Sequence, residues 1–324
     1  MNDKRSIWLL IFSITLSAIL LFLALRNVDW VAFWKTIVGG HYGFLLLTIP
    51  IASINYLIRA TRWSIFVSSE KKIPLRSVFW ANMVGYLGNA FLPARAGELL
   101  RSAFLGQKSG LGTSFVFATA LVERTLDAIA LVLIGSLSLL WLGNISALLA
   151  GAVRIMAFAS IVVLAIIIIA PHQEAWLLRL FSRLPLPPGI AGKISKQITR
   201  FLVGMRCLQN ARRLFSFILL TVVIWLVDAS VTMLGVRIIS QTLNLGQALI
   251  LLSALGLSSA VPSTPGYVGV YQFVAVIVLV PFGFSRPEAL AYILISLVLG
   301  YILFGFWGLL GLWQINRGDE LVQV

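Results

Sequence analysis

The sequence predicts an all-α, polytopic integral membrane protein: a helical bundle of about six full spans plus two re-entrant broken-helix hairpins in an inverted repeat. Three observations carry this. Hydrophobic residues make up 60% of the 324-residue chain and charged residues 11%, with mean hydropathy +0.98. Several apolar runs approach or exceed the roughly 18–20 residues a bilayer crossing needs. Two apolar segments, one in each half, are interrupted by Pro/Gly breaks: NAFLPARAGELLR (89–101) and SSAVPSTPGYVGVYQ (258–272). Non-helical backbone at membrane depth is tolerated only where protein or a wet cavity satisfies its N–H and C=O groups. Paired breaks of this kind mark a transport site.

Taken in order, the first apolar run, 7–25, follows Lys4 and Arg5 in the manner of a signal peptide. It is long and ends in Leu25-Arg26-Asn27, not in small residues, so it is expected to be an uncleaved first helix. Further spans are expected at 43–66, 113–141, 148–170, 214–237 and 288–314. The broken segments fall at about 77–110 and 247–281. The chain is thus one transmembrane domain, 1–324, with a first half 1–170, a cytoplasmic segment 171–213 and a second half 214–324.

Loop charge sets the orientation. Lys4 and Arg5, then Lys71, Lys72 and Arg76, then Arg101 and Lys108, then eight basic residues between Arg179 and Arg213 share one side if the first break is a hairpin and the chain starts inside. Arg26, Lys35 and Arg237 are exceptions, and Arg154 reads as a snorkelling side chain near its helix end. Both termini are then cytoplasmic and the location is the cell inner membrane. The second break is a hairpin entering from the opposite face; its arms, 247–261 and 266–280, are about 15 residues or roughly 22 Å each. The alternative is that 266–280 is a full tilted span, which would flip the last helix. Between the halves, Ile194, Ile198, Phe201, Leu202, Met205 and Leu208 recur at helical spacing among basic residues, an amphipathic helix on the inner leaflet.

The net charge of +14 follows the positive-inside pattern and does not imply nucleic acid. A single Cys207 and two isolated histidines, His41 and His172, give neither a disulfide framework nor metal-ligand spacing. No metal or cofactor is expected. No Gly-rich loop with Lys-Ser/Thr is present for ATP.

Ionisable groups within the apolar slab are functional candidates by default. Glu123, Arg124 and Asp127 form the densest group. Glu123 and Asp127 share a helix face, and Arg124 and Asp127 are spaced to pair. Glu123 then needs a partner from Arg95, Arg101, Arg59 or Arg62. The structural alternative is a buried ion network that fixes helix register. In the first break, Pro93 ends one arm, Gly97 permits close backbone approach, and the second arm starts with Glu98 and Arg101. Its open N–H groups and the fork of Arg95 suit phosphate. The second break is uncharged: Pro262, Pro265, Gly266 and Gly269 break the helix. Ser263, Thr264, Tyr267, Tyr271 and Gln272 offer hydrogen bonds suited to a lid or a sugar or head-group contact. Asp228, a lone acid in the span 214–237, is a partner for an arginine or, with Glu123, a proton-coupling site.

At these residues the chain resembles the flippase-like family of the lysylphosphatidylglycerol synthase transmembrane domain. The points of resemblance are Arg62-Trp63, Asn89 with ProAlaArgAlaGlyGlu (93–98) and Arg101, Glu123-Arg124 with Asp127, and ProSerThrProGly (262–266) with Gly269. The family's second motif carries a further Gly and a later Glu where this chain has Tyr267 and Gln272. The resemblance implies two opposed re-entrant hairpins and movement of a polar lipid head group between leaflets. It does not imply lipid lysylation, which belongs to a separate soluble domain.

The expected activity is therefore translocation of an anionic, phosphate-bearing phospholipid or lipid-linked head group. Its binding residues are expected to come from Arg59, Arg62, Asn89, Pro93, Arg95, Gly97, Glu98, Arg101, Glu123, Arg124, Asp127, Thr264, Pro265, Gly266, Gly269, Tyr271 and Gln272. Membrane lipids are the expected partners, with a homo-oligomer or a lipid-modifying enzyme as possible associates. The competing readings are a membrane-embedded enzyme on polyprenyl or phospholipid phosphates, and an accessory subunit of a glycosyltransferase or lipid synthase.

Overall fold

A computed structural model describes residues 3–92, 96–143, 147–169, 206–261 and 263–316 and, singly, Gly192 and Thr199. Among the described residues there are helices and no strand. The helices are α1 (Asp3–Leu25), α2 (Trp30–Val38), α3 (Leu45–Val67), α4 (Leu75–Phe91), α5 (Gly97–Ser109) and α6 (Thr113–Leu142). They continue with α7 (Ala147–Ile169), α8 (Ala211–Arg237), α9 (Leu245–Ser258), α10 (Val270–Leu279) and α11 (Arg286–Asn316).

Each expected span finds a helix, but the set long and apolar enough to cross includes Pro265–Phe282, while within 148–170 the apolar stretch Val153–Ile167 is shorter. By length and composition Tyr42–Val67, Thr113–Leu142, Ala211–Arg237, Pro265–Phe282 and Arg286–Gln314 suffice to cross a membrane. A sixth span results if Ile11–Leu25 is joined to Trp30–Val38 across an 87° bend. The side chains are distributed for lipid rather than water. Leu46, Phe158 and Phe215 lie outward and exposed, while Asn82, Arg62 and Arg101 lie fully inside. In hydrocarbon the bundle interior is where polar groups must sit.

Helix α2 is not anticipated by the hydropathy pattern. Asp29 caps it, its carboxylate accepting from the N–H groups of Val31 at 2.9 Å and Ala32 at 3.0 Å. Trp30 and Trp34 are exposed on it and only Phe33 is buried. A capped, aromatic helix turned across the end of a span is built for the membrane interface. Of the expected amphipathic helix at 190–212, residues 190–191, 193–198 and 200–205 lie outside the described residues, while Arg206–Gln209 form a 3-10 turn that buries Leu208 in the core instead of presenting it to the leaflet. Its last residues open α8, where Asn210 accepts from the N–H groups of Arg212 and Arg213 at 3.1 and 3.2 Å. Helix α8 thus starts three residues before the expected span 214–237.

The two breaks are helix-turn-helix hairpins. In the first, α4 and α5 run antiparallel at close range: Gly85 faces the Arg101 side chain and Gly88 faces the Gly97 backbone. In the second, α9 leads to a turn in which Gly266 (φ 74), Tyr267 (φ 60) and Gly269 (φ 85) all take left-handed backbone. The helical stretch of the second arm, Pro265–Phe282, is by length and composition enough to cross a membrane, as the full-span alternative for 266–280 requires; its regular part, α10, has 10 residues.

The halves exchange partners. The first arm of each hairpin packs on the helix that follows the other hairpin: α4 on α11, and α9 on α6, while α3 packs on α8. A two-fold relation between the halves, parallel or inverted, gives that pattern. Small residues allow both exchanges, with Gly308 against Leu87 at one and Gly135 against Ser253 at the other.

Helix α1 braces the second tip. The Thr264 N–H donates to Ser17 Oγ at 3.1 Å, and a Cβ on Gly269 would overlap the Ser17 carbonyl. Gly283 also has positive φ (97) but open space around it. Gly269→Ala and Gly283→Ala therefore share a backbone penalty of about 1–3 kcal/mol, and only the first adds a clash. Thermal unfolding is expected to show a clearly larger loss for Gly269→Ala.

Candidate functional site

Three helices meet at a closed ring of six charges. Arg62 sits on α3, Glu98 and Arg101 one turn apart on α5, and the adjacent Glu123 and Arg124 one turn before Asp127 on α6. Arg62 binds Glu123 at 3.1 Å, and Glu123 binds Arg101 at 3.0 Å. Arg101 binds Glu98 at 2.6 Å, and Glu98 binds Arg124 at 2.6 Å. Arg124 reaches Asp127 at 3.7 Å, and Asp127 returns to Arg62 at 2.6 Å. Three guanidinium groups alternate with three carboxylates, so the ring is neutral.

Its surroundings explain how it survives in the membrane. Arg101 donates to Asn82 Oδ1 at 2.5 Å and lies over the Trp63 ring at 4.3 Å. Trp63 is held by donating to Thr119 Oγ1 at 3.3 Å. Arg62 lies over Phe217 at 5.3 Å, and Asn89 donates to Glu98 at 3.3 Å. Desolvating each ion costs several kcal/mol, offset only by close pairing and further hydrogen bonds. Five of the six members are buried; the Arg124 side chain is 28% exposed.

A second neutral pair, Arg59 of α3 with Asp228 of α8, lies nearby. Asn55 donates to the same carboxylate at 2.6 Å, and Arg59 lies over Trp225 at 5.7 Å. The i,i+3 neighbours Arg59 and Arg62 thus serve different acids. Of the partners expected for Glu123, Arg62 and Arg101 are the ones engaged, and Arg59 goes to Asp228.

A cavity of about 460 Å³ lies between the two hairpin tips. Asn89 and Glu98 of the first tip and Gly266, Tyr267 and Tyr271 of the second line it, with Arg59, Arg124 and Asp228 among its charged groups. The charged residues thus divide. Arg59, Glu98, Arg124 and Asp228 face the cavity, while Arg62, Arg101, Glu123 and Asp127 stand behind them as support. Gly97 acts as a close-approach point between the arms. Gln272 folds back to cap α10, its Oε1 accepting from the Gly269 N–H at 2.7 Å. Thr264 donates to the Val268 carbonyl at 3.2 Å, and Pro265 is exposed beside it. Pro93 and Arg95 lie outside the described residues, as does Pro262.

Sequence reasoning did not single out Asn55 and Asn82, which complete the two ion clusters, nor Tyr56, Tyr86, Tyr292 and Tyr301, which line the cavity. Their signal was present: an amide or phenol inside an apolar span seeks a partner. Among the described residues no group of three or more His, Cys, Asp or Glu side chains is placed to hold a metal ion; the ring carboxylates are each engaged by arginine.

The family model described as "Lysylphosphatidylglycerol synthase TM region" matches residues 10–308. No curated protein and no solved structure matches the chain. The match takes in both hairpins, the ion ring and the cavity between the tips. This chain belongs to the family of the lysylphosphatidylglycerol synthase TM region, a membrane domain associated with lipid-related functions.

Proposed function

We propose that the protein is a lipid translocase of the inner membrane, with both termini cytoplasmic, that moves a phosphate-bearing head group between leaflets. The observation that carries this is the cavity lined by both hairpin tips, apolar over most of its wall and charged where Arg59, Glu98, Arg124 and Asp228 face it. Its size falls in the range of about 300–1,000 Å³ typical of ligand pockets.

Arg124 is suited to receive the phosphate. It is the exposed member of the ring, and its contact with Asp127 is the ring's longest. A head-group oxygen that replaces this contact leaves Asp127 bound to Arg62 and Glu98 bound to Arg101. The guanidinium plane presents two N–H groups to a tetrahedral anion, which a lysine does not. The acyl chains stay in the bilayer while the head group exchanges sides by rocking of the two hairpins. Of the two acids considered for proton coupling, Asp228 reaches the cavity and Glu123 is enclosed by arginines.

Proteoliposomes holding a head-group-accessible fluorescent phospholipid test this. The intact chain is expected to expose the label on both faces without covalent change. Arg124→Gln is expected to slow the exchange at least about tenfold at temperatures where the variant stays folded, since it also leaves the ring one positive charge short. Recovery of a chemically altered lipid would overturn the proposal in favour of an enzyme. Absence of both movement and alteration would favour an accessory role beside a lipid-modifying enzyme.

A further inference from the structure

We infer that the head group carries a hydroxyl-rich moiety, a sugar or polyol, beyond its phosphate, and that a tyrosine lining recognises it. The inference rests on the phosphate-lipid reading above and adds the part of the ligand that Arg59 and Arg124 do not address.

The chain has 7 tyrosines, 20 phenylalanines and 10 tryptophans. Six of the tyrosines line the one cavity: Tyr56, Tyr86, Tyr267, Tyr271, Tyr292 and Tyr301. Among the described lining residues Phe304 is the sole phenylalanine and there is no tryptophan. Were aromatic bulk the requirement, phenylalanine, nearly three times as abundant, would dominate the wall. What the tyrosines add is a phenol, a group that donates and accepts a hydrogen bond from the edge of an apolar ring.

They arrive from α3, α4, α10, α11 and the second tip, so no single helical stripe explains them. Tyr267 and Tyr271 stack at 4.8 Å with 10° between their planes. Also in the lining, Tyr56 and Tyr86 adjoin at 5.9 Å, each against Phe304. The Tyr301 hydroxyl donates to the Gly266 carbonyl at 2.8 Å, which fixes the tip that carries Tyr267. Tyr267 itself is held at φ 60, a conformation uncommon for a bulky residue. Flat apolar rings edged with phenols match a sugar, which has apolar C–H faces and a rim of hydroxyls. The paired charges extend this match: Arg59 with Asp228, and Arg124 with Glu98, offer donors and acceptors side by side. They do not favour an amine, because each carboxylate is already bound by a guanidinium. The cavity also has far more room than a phosphate fills.

Binding of three phospholipids with identical acyl chains to the full-length protein in detergent, read by native mass spectrometry, tests the inference. The probes are phosphatidylinositol, phosphatidylethanolamine and phosphatidic acid. Phosphatidylinositol is expected to bind at least about tenfold more tightly than the other two. Tyr271→Phe and Tyr267→Phe, which keep the ring, and Tyr271→Leu, which removes it, are expected to erase most of that preference. Binding of phosphatidic acid should stay within about twofold in all three, with unchanged unfolding midpoints as the check on folding. Equal or tighter binding of phosphatidylethanolamine overturns the inference, as does an equal loss for all three lipids in the tyrosine variants. If phosphatidic acid binds and Arg124→Gln abolishes it, yet phosphatidylinositol gains nothing, the phosphate reading stands and this inference falls. If none of the three binds, both fall.

Discussion

Replacing Glu123 with glutamine is expected to destabilise the protein by about 3–5 kcal/mol, the range for removing one partner of a buried ion pair. Glu123 bridges Arg62 and Arg101 with its two oxygens, and both arginines are about 1% exposed. Glutamine keeps the shape but leaves the ring with one uncompensated positive charge. The loss should be recovered in part by a second substitution that restores neutrality. Arg101→Met with Glu123→Leu leaves Arg62, Asp127, Arg124 and Glu98 as a balanced chain of contacts. The double variant is expected to be less destabilised than the sum of its singles by about 2 kcal/mol, within the coupling usual for side chains in one network. Thermal unfolding in detergent gives the four corners of the cycle. Strict additivity would show that the ring is not an electrostatic unit.

The same geometry assigns different meanings to transport defects. A variant of Glu123 that loses transport reports on the support behind the cavity, since that side chain is enclosed. A variant of Arg124 reports on the cavity itself. Asp127 belongs with Glu123 in this respect, and Glu98 takes part in both, binding Arg101 on one side and lining the cavity on the other.

The hairpins were legible because their cause is local. Proline at 93 and 262 and glycine at 97, 266 and 269 interrupt apolar runs that would otherwise read as spans. The acidic and basic members of the ring were legible for a similar reason, because charge in an apolar run is conspicuous. Their pairing was not. Four arginines lay within plausible reach of Glu123, and helical periodicity fixes a face without naming its partner. Arg59 and Arg62, three residues apart, reach acids on different helices, Asp228 of α8 and Glu123 of α6, although Arg62 also touches α8 at Phe217 and Thr221. Among the described residues the ring balances, and Arg95 lies outside them. Helix α2 was missed because nine residues fall below span length, though Asp29 before Trp30 and Trp34 carried a cap and an interfacial signal. The tyrosine lining was invisible for a different reason: residues from five segments converge only once α4 has packed on α11 and α9 on α6.

Gly97→Ala is expected to have an effect of similar size from a single methyl group. A Cβ at this position overlaps the Gly85 carbonyl and lies 2.5 Å from the Asn89 nitrogen and 2.6 Å from its Oδ1. Two of these three atoms are backbone, so a rotamer change cannot relieve the contact. The arms must separate. That movement is opposed one turn further on, where the Arg101 side chain lies against Gly85 and is tied to Asn82 and Glu123. Separation therefore either breaks ring contacts or strains the tip, and overpacking of this kind typically costs about 1–3 kcal/mol before the lost ion pairs are added. Gly43→Ala, at a glycine with open space around it, should change stability by no more than about 0.5 kcal/mol. Exchange in proteoliposomes should fall with Gly97→Ala even at temperatures where the variant stays folded. Glu98 and Asn89, which line the cavity, sit on the two arms that the methyl drives apart. A variant that lost stability but translocated normally while folded would show that the first tip is scaffold alone.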